Sequence, residues 1–242
     1  MKKDLLEISR QARALLQDMH LLGVRDLVMP PGIETVSELP VCPLHVTGID
    51  RGGSVLCRQE TLEEIRAELE NCRRCPLCEG RRNIVFGVGN PQASLVFVGE
   101  APGREEDERG EPFVGEAGRL LDRILFAMGL SRGEVYICNV EKCRPPQNRD
   151  PRPEEIAACE PYLKRQLAAI NPRVIVALGR IAVQSLLREQ TAISRLRGRW
   201  HQYEGIPLMP TYHPAYLLRN PAGKREVWED MKQVLKRLRE ES

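Results

Sequence analysis

SLVFVGE, Ser94 to Glu100, decides how the rest of the chain is read. Leu95 to Val98 form an unbroken apolar run that ends on Gly-Glu. A run this short and apolar, bounded by small and polar residues, fits a strand buried on both faces. Three further runs repeat it: EVYICNV (134–140), RVIVALG (173–179) and IPLMPTY (206–212). Helical periodicities fill the gaps. Ala117, Leu120, Leu121, Ile124, Leu125 and Met128 share one face. Ile156, Cys159, Leu163, Leu167 and Ile170 share another, with Pro161 predicting a kink. Ile181 to Leu187 make a third, and Val227, Met231, Val234, Leu235 and Leu238 close the chain. Strands alternating with helices predict an α/β fold, a parallel sheet covered on both faces.

Upstream, Thr61 and Glu64 form a capping box ahead of Leu62, Ile65 and Leu69, so a helix begins there. The first sixty residues read differently. Leu5, Ile8, Ala12, Leu15 and Met19 predict an amphipathic helix over 4–20. Residues 29–58 are rich in Pro and Gly and predict an irregular connector with one short strand. The expected division is an N-terminal extension, 1–60, and a principal domain, 61–242.

With 242 residues, 42% of them hydrophobic, the chain can bury one substantial core. MKKDLLEISR has no apolar signal region behind it, and no run approaches the roughly 20 residues of a membrane span. A soluble, cytoplasmic protein is expected, without a membrane partner. Thiols stay reduced in that compartment, so clustered cysteines point to metal rather than disulfides. The net charge of +2 neither demands nor excludes nucleic acid.

Three of the eight cysteines fall in NCRRCPLC, 71–78. Cys72 and Cys75 are a C-x2-C pair, and Cys143 and Cys159 follow in the principal domain. If the two pairs meet, they offer four thiolates, suited to structural zinc or to an iron–sulfur cluster; spacing does not choose between them. Cys78 extends the run to C-x2-C-x2-C without completing a ferredoxin motif. Cys138, inside an apolar run, reads as a buried thiol, and Cys159 on its apolar face is open to the same reading. Cys42 and Cys57 belong to no motif, although Cys42 with His45 offers a weak second metal reading.

Ligands of such sheets bind beyond the carboxyl ends of the strands. GEAPG follows the first run, NVEKCRPPQN the second and YHPAYLLRN the fourth, so three polar loops are predicted to converge. In the first loop the acidic run and the missing G-K-[ST] argue against phosphate binding. Most of Glu105, Glu106, Asp107 and Glu108 are expected in solvent. Phe113, in a loop between Pro112 and Val114-Gly115, offers a stacking platform as readily as core packing. Asn139 can donate and accept, as reading a base edge requires, or simply form a turn. His213, stiffened by Pro214, is placed to steady a developing anion or to cap a helix. Arg195, Arg197, Arg199, Lys142, Arg144, Arg149 and Arg152 gather as candidate phosphate contacts, about half of them plain surface charge.

GEAPG followed by EPFVGEAGRLL, then CNVEKCRPPQNR, then TYHPAYLLRNP, resembles the family 4 uracil-DNA glycosylases over roughly residues 61–240. The resemblance implies a three-layer α/β/α fold around a four-stranded parallel sheet. It also implies a structural [4Fe–4S] cluster on Cys72, Cys75, Cys143 and Cys159, with zinc as the alternative and Cys78 a spare thiol. It assigns Glu100 to the attacking water, with Ala101 beside it in the base pocket. Phe113 stacks on the flipped base, Asn139 reads its edge, and His213 bonds its oxygen. Glu106 lies near C5 of the base, Leu217 wedges into the vacated stack, and Arg219 holds a phosphate; Arg197, from the basic run alone, is a further DNA-binding candidate. The implied activity is monofunctional removal of uracil from single- or double-stranded DNA, leaving an abasic site in base excision repair. The chain is then expected to act as a monomer, with residues 1–60 free to dock a protein. Two rivals are a relative that bonds covalently to DNA, disfavoured by Ala101 after Glu100, and a non-catalytic, metal-clipped DNA-binding protein.

Overall fold

The computed structural model describes the backbone of residues 45–49 and 55–58, and residues 60–240 in full. The predicted 4–20 helix, Cys42 and the side chains of His45 and Cys57 lie outside the described residues. The chain divides between Cys42 and Pro43, and the second unit, from Pro43 onward, contains every described element.

Strands β1 (His45–Ile49) and β2 (Val55–Arg58) pair antiparallel, so the connector holds a hairpin where one strand was expected. Helix α1 (Leu62–Leu69) starts at the predicted capping box: Thr61 Oγ1 accepts from the Glu64 N–H and Glu64 returns the bond to Thr61 N–H. Then come β3 (Val88–Gly89), β4 (Leu95–Gly99), α2 (Arg104–Arg109), α3 (Glu116–Ala127) and β5 (Tyr136–Asn139). Helix α4 (Pro153–Ile170), β6 (Val174–Leu178), α5 (Arg180–Leu187) and α6 (Ile193–Leu196) follow. The chain ends on β7 (His201–Tyr203), β8 (Ile206–Thr211), α7 (Pro214–Arg219) and α8 (Lys224–Glu240).

The four predicted strands are the parallel centre of the sheet, in order β5-β4-β6-β8. Antiparallel β3 and β7 cap its two edges, making six strands and a mixed sheet. Both edge strands are too short for sequence periodicity to register. β7 enters β8 through Glu204-Gly205, both at positive φ, the backbone a two-residue hairpin favours. Alternation along each strand sorts the core into two layers. Val96, Val98, Cys138 and Ile175 face α1, α4 and α5. Leu95, Phe97, Ile137 and Val176 face α3 and α8. Cys138 is fully buried, as expected of a strand thiol.

Helix α4 is continuous through Pro161, its Cys159–Ile170 face anchored in the core. Arg165 on α4 grips Glu60 (2.5 Å) and Glu68 (2.5 Å), pinning the start and end of α1. No helix among the described residues is long and apolar enough to cross a membrane.

Candidate active site

β4 and β5 deliver the first two loops side by side. Gly99 pairs with Asn139 in register, and the ladder continues as Glu141 N–H donates to Glu100 O at 2.9 Å. Gly99 is there for space: a Cβ on it would stand 2.4 Å from Asn139 Oδ1 and 2.6 Å from the Phe113 ring. These two side chains therefore close directly over the strand end.

Phe113 is buried in a left-handed backbone conformation (φ +55°), which a bulky residue adopts only under constraint. The constraints are visible. Glu106 Oε1 accepts from the Val114 and Gly115 N–H groups, both at 2.9 Å. Arg132 donates to the Pro112 carbonyl (3.2 Å) and to that of Phe113. Gly118 has no side chain to collide with the same carbonyl. The acidic run is thus only partly solvated: Glu106 orders this loop, and Asp107 is buried, accepting from Arg82 N–H at 2.9 Å.

His213 caps α7, its Nδ1 accepting from Ala215 N–H at 3.1 Å. The neutral ring must then carry its proton on Nε2. Burial pulls its pKa down to about 4, with Arg219 in the same sense and Glu106 opposing. Its ring lies 5.5 Å from that of Phe113, and Gly179 (φ +89°) leaves room for its Cβ. Asn139 is buried, and its Oδ1 has no hydrogen-bond partner among the described residues. Its backbone carbonyl takes Lys142 Nζ at 2.6 Å. Lys142, expected among the phosphate contacts, is therefore wholly internal. Burial, with the Asp150 carboxylate adding to it and Arg180 opposing, raises Glu100 to about 7. Asp150 and Arg180 are themselves paired at 2.5 Å.

Glu100, Ala101, Glu106, Phe113, Asn139 and His213 line one cavity of about 420 Å³. Asn148, Arg149, Asp150, Tyr216 and Arg219 also line it, and among the described residues no lysine does. A concavity of about 660 Å³ beside α1 is larger but shares no residue with it.

Two expected DNA contacts are placed elsewhere. Leu217 is fully buried in the core layer that also holds residues of α3 and α8, because the short α7 turns that side chain inward. Arg197 is spent on buried Asp230, donating from Nε at 3.1 Å and from its terminal nitrogen, while Thr211 Oγ1 donates to the same carboxylate at 2.6 Å. Arg149 is likewise held by Glu155 at 2.6 Å. Sequence reading passed over Asp150, Arg180 and Tyr216; only the loop convergence could have drawn attention to Asp150.

The cysteines gather on the other layer. Cys143 and Cys159 are buried and Cys72, Cys75 and Cys78 half-buried. Burial raises the thiols of Cys75, Cys143 and Cys159, and a neighbouring cysteine adds to each shift: Cys72 for Cys75, Cys75 for Cys143 and Cys143 for Cys159. Arg81 joins the halves, donating to the Cys72 carbonyl (2.8 Å) and Cys143 Sγ (3.3 Å); Lys142 N–H donates to Cys159 Sγ at 3.3 Å. Sulfurs met by N–H donors and a guanidinium suit thiolates of a bound metal centre. Among the described residues no three His, Cys, Asp or Glu side chains converge on a point that would hold a single ion.

Residues 86–232 match the family model described as the uracil DNA glycosylase superfamily. The type-4 uracil-DNA glycosylase of Archaeoglobus fulgidus is 49% identical over 183 residues, 72% of this chain and 92% of that protein. Type-4 uracil-DNA glycosylases of Thermotoga maritima (46% identity; 73% of this chain, 94% of that one) and Sulfurisphaera tokodaii (44%; 72% and 84%) are similarly close. Matched over most of its principal domain, with the motif residues gathered at one strand edge, the chain belongs to the uracil-DNA glycosylase superfamily.

Proposed function

We propose that this chain flips uracil out of DNA and hydrolyses its N-glycosidic bond, leaving an abasic site for base excision repair. The observation that carries the proposal is the buried Asn139 side chain, whose Oδ1 has no partner among the described residues, lining the same cavity as Phe113, His213 and Glu100. A buried polar atom without a partner costs stability, so a ligand with complementary edges is expected to satisfy it.

The base must leave the stack to be reached. Phe113 stacks on it and Asn139 pairs with its edge. His213, neutral well above pH 4, donates from Nε2 to the base oxygen as negative charge builds on the leaving group. A neutral donor suits this task because it needs no counter-charge while the site is empty. Glu100 orients and activates the attacking water and faces the cationic sugar. Glu106 holds the Phe113 loop in place and narrows the pocket near C5. Strand cleavage through a Schiff base needs an amine, and among the described residues no lysine lines the cavity, which supports the monofunctional reading.

Cys72, Cys75, Cys143 and Cys159 are the residues that would hold a [4Fe–4S] cluster. Bound there, it supplies structure rather than a reaction step, clipping the segment after α1 to the β5–α4 loop. Structural zinc on the same four thiolates is the alternative. Iron and sulfide analysis separates the two.

Oligonucleotides carrying uracil or thymine, single-stranded or paired with G or A, test the reaction. Alkali-dependent cleavage at uracil alone is expected. No cleavage by metal-replete protein would favour a non-catalytic binder, and a heat-stable shifted band a covalent product.

A further inference from the structure

Among the described residues only Phe126 and Tyr216 are large hydrophobic side chains that stand exposed, and only Tyr216 borders the cavity. Its neighbour Leu217 fixes its placement: with Leu217 in the core at 1% exposure, the adjacent side chain of the short α7 points outward, 39% exposed. Tyr216 is also backed by a column of planar groups. Its ring lies 4.8 Å from that of Tyr212, tilted by 34°. The Arg197 guanidinium lies 5.6 Å from the Tyr212 centroid on the cation–π pattern, and Arg197 is anchored in turn by buried Asp230. Gly223 lies against the pair: a Cβ there would be in ordinary contact with both tyrosine rings at 3.5 Å and would crowd Leu217 at 3.0 Å. The inner face of Tyr216 is thus braced while its outer surface meets solvent beside the uracil pocket. A braced, exposed aromatic beside a nucleotide pocket is a base-stacking platform, since every base has a π-face.

We infer that Tyr216, braced by Tyr212 and Arg197, is a stacking subsite for the nucleobase adjacent to the extruded uracil. It rests on the uracil-DNA reading above and names a contact outside the uracil pocket itself. It also replaces Leu217 as the apolar group presented to DNA. The column explains why Arg197 is retained in the interior rather than at a phosphate.

The test uses the full chain with the Glu100→Gln change, which slows turnover so that binding is read before release, and single-stranded oligonucleotides carrying 2-aminopurine on one or the other side of uracil. Stacking on Tyr216 quenches the probe on one side. Tyr216→Ala is expected to weaken binding about tenfold, as loss of one base–aromatic stack does, and to brighten that probe. Tyr216→Phe is expected to retain both affinity and quenching. Binding and quenching unchanged in Tyr216→Ala would overturn the inference. So would Tyr216→Phe behaving like Tyr216→Ala, which would assign the effect to the hydroxyl. Uracil release by the protein with Glu100 intact is measured in parallel. Release together with an unchanged Tyr216→Ala overturns the stacking subsite alone, whereas no release overturns the reading on which it stands.

Discussion

Two buried polar groups, Asp230 beside the end of β8 and Asn139 at the end of β5, have opposite fates. On one side the Asp230 carboxylate is saturated, held by Arg197 and Thr211. On the other, Asn139 Oδ1 has no partner among the described residues, and burial raises the neighbouring Glu100 toward neutrality, with Asp150 adding to the shift and Arg180 opposing it. A saturated buried charge stabilises a corner of the fold; breaking it leaves an uncompensated ion. An unsaturated one costs the free protein stability and holds binding capacity in reserve. Burial alone does not separate the two kinds of residue, but their partners do.

The sharpest way to break this contrast is at Glu100. Glu100→Gln is expected to slow uracil release by about 10²–10⁴-fold, the usual contribution of a positioned general base. It should stabilise the fold at the same time. A carboxyl whose folded pKa is raised holds its proton more tightly folded than unfolded. Its ionisation therefore penalises the native state as pH rises above the unfolded value, in full above about 7. The variant should gain about 1–3 kcal/mol in denaturant melts at pH 8 and almost nothing at pH 4. The reverse is expected at the saturated corner. Arg197→Ala should cost about 3–5 kcal/mol of stability by stranding Asp230, yet leave the single-turnover rate on bound DNA near that of the parent.

Smaller effects sharpen the comparison. Uracil release at subsaturating DNA should rise with pH through about 7 as Glu100 ionises, and Glu100→Gln should flatten that limb. His213, already neutral there, adds no limb above pH 5. Arg219, exposed at the rim, is the remaining phosphate candidate of the original pair. Arg219→Ala should weaken binding to all sequences alike and reduce the salt slope of log K by about 1.

Much of the layout was legible because buried parallel strands are uniformly apolar. Leu95–Val98 and Val174–Leu178 face core on both sides, and no other element writes so plain a run. The convergence of loops after β4, β5 and β8 followed from the strand-end rule, and it brought Glu100, Phe113, Asn139 and His213 to one cavity. What failed depended on partners far away in sequence. Arg195, Arg197 and Arg199 alternate like a surface stripe, but Asp230 lies 33 residues on and claims the middle one. A two-turn helix such as α7 has too few residues for periodicity to say which of Tyr216 and Leu217 faces the core. Asp107 reads as one acid among four, until the backbone of Arg82 and Asn83 folds over it.

The most direct test compares Asn139→Ala with the parent in two assays on one preparation: single-turnover uracil release and thermal unfolding. The account predicts release slowed at least about a hundredfold, as for loss of a well-placed polar group at a reacting centre, with stability unchanged or slightly raised. Release at the parental rate, or a loss of several kcal/mol of stability accompanying the loss of activity, would contradict it.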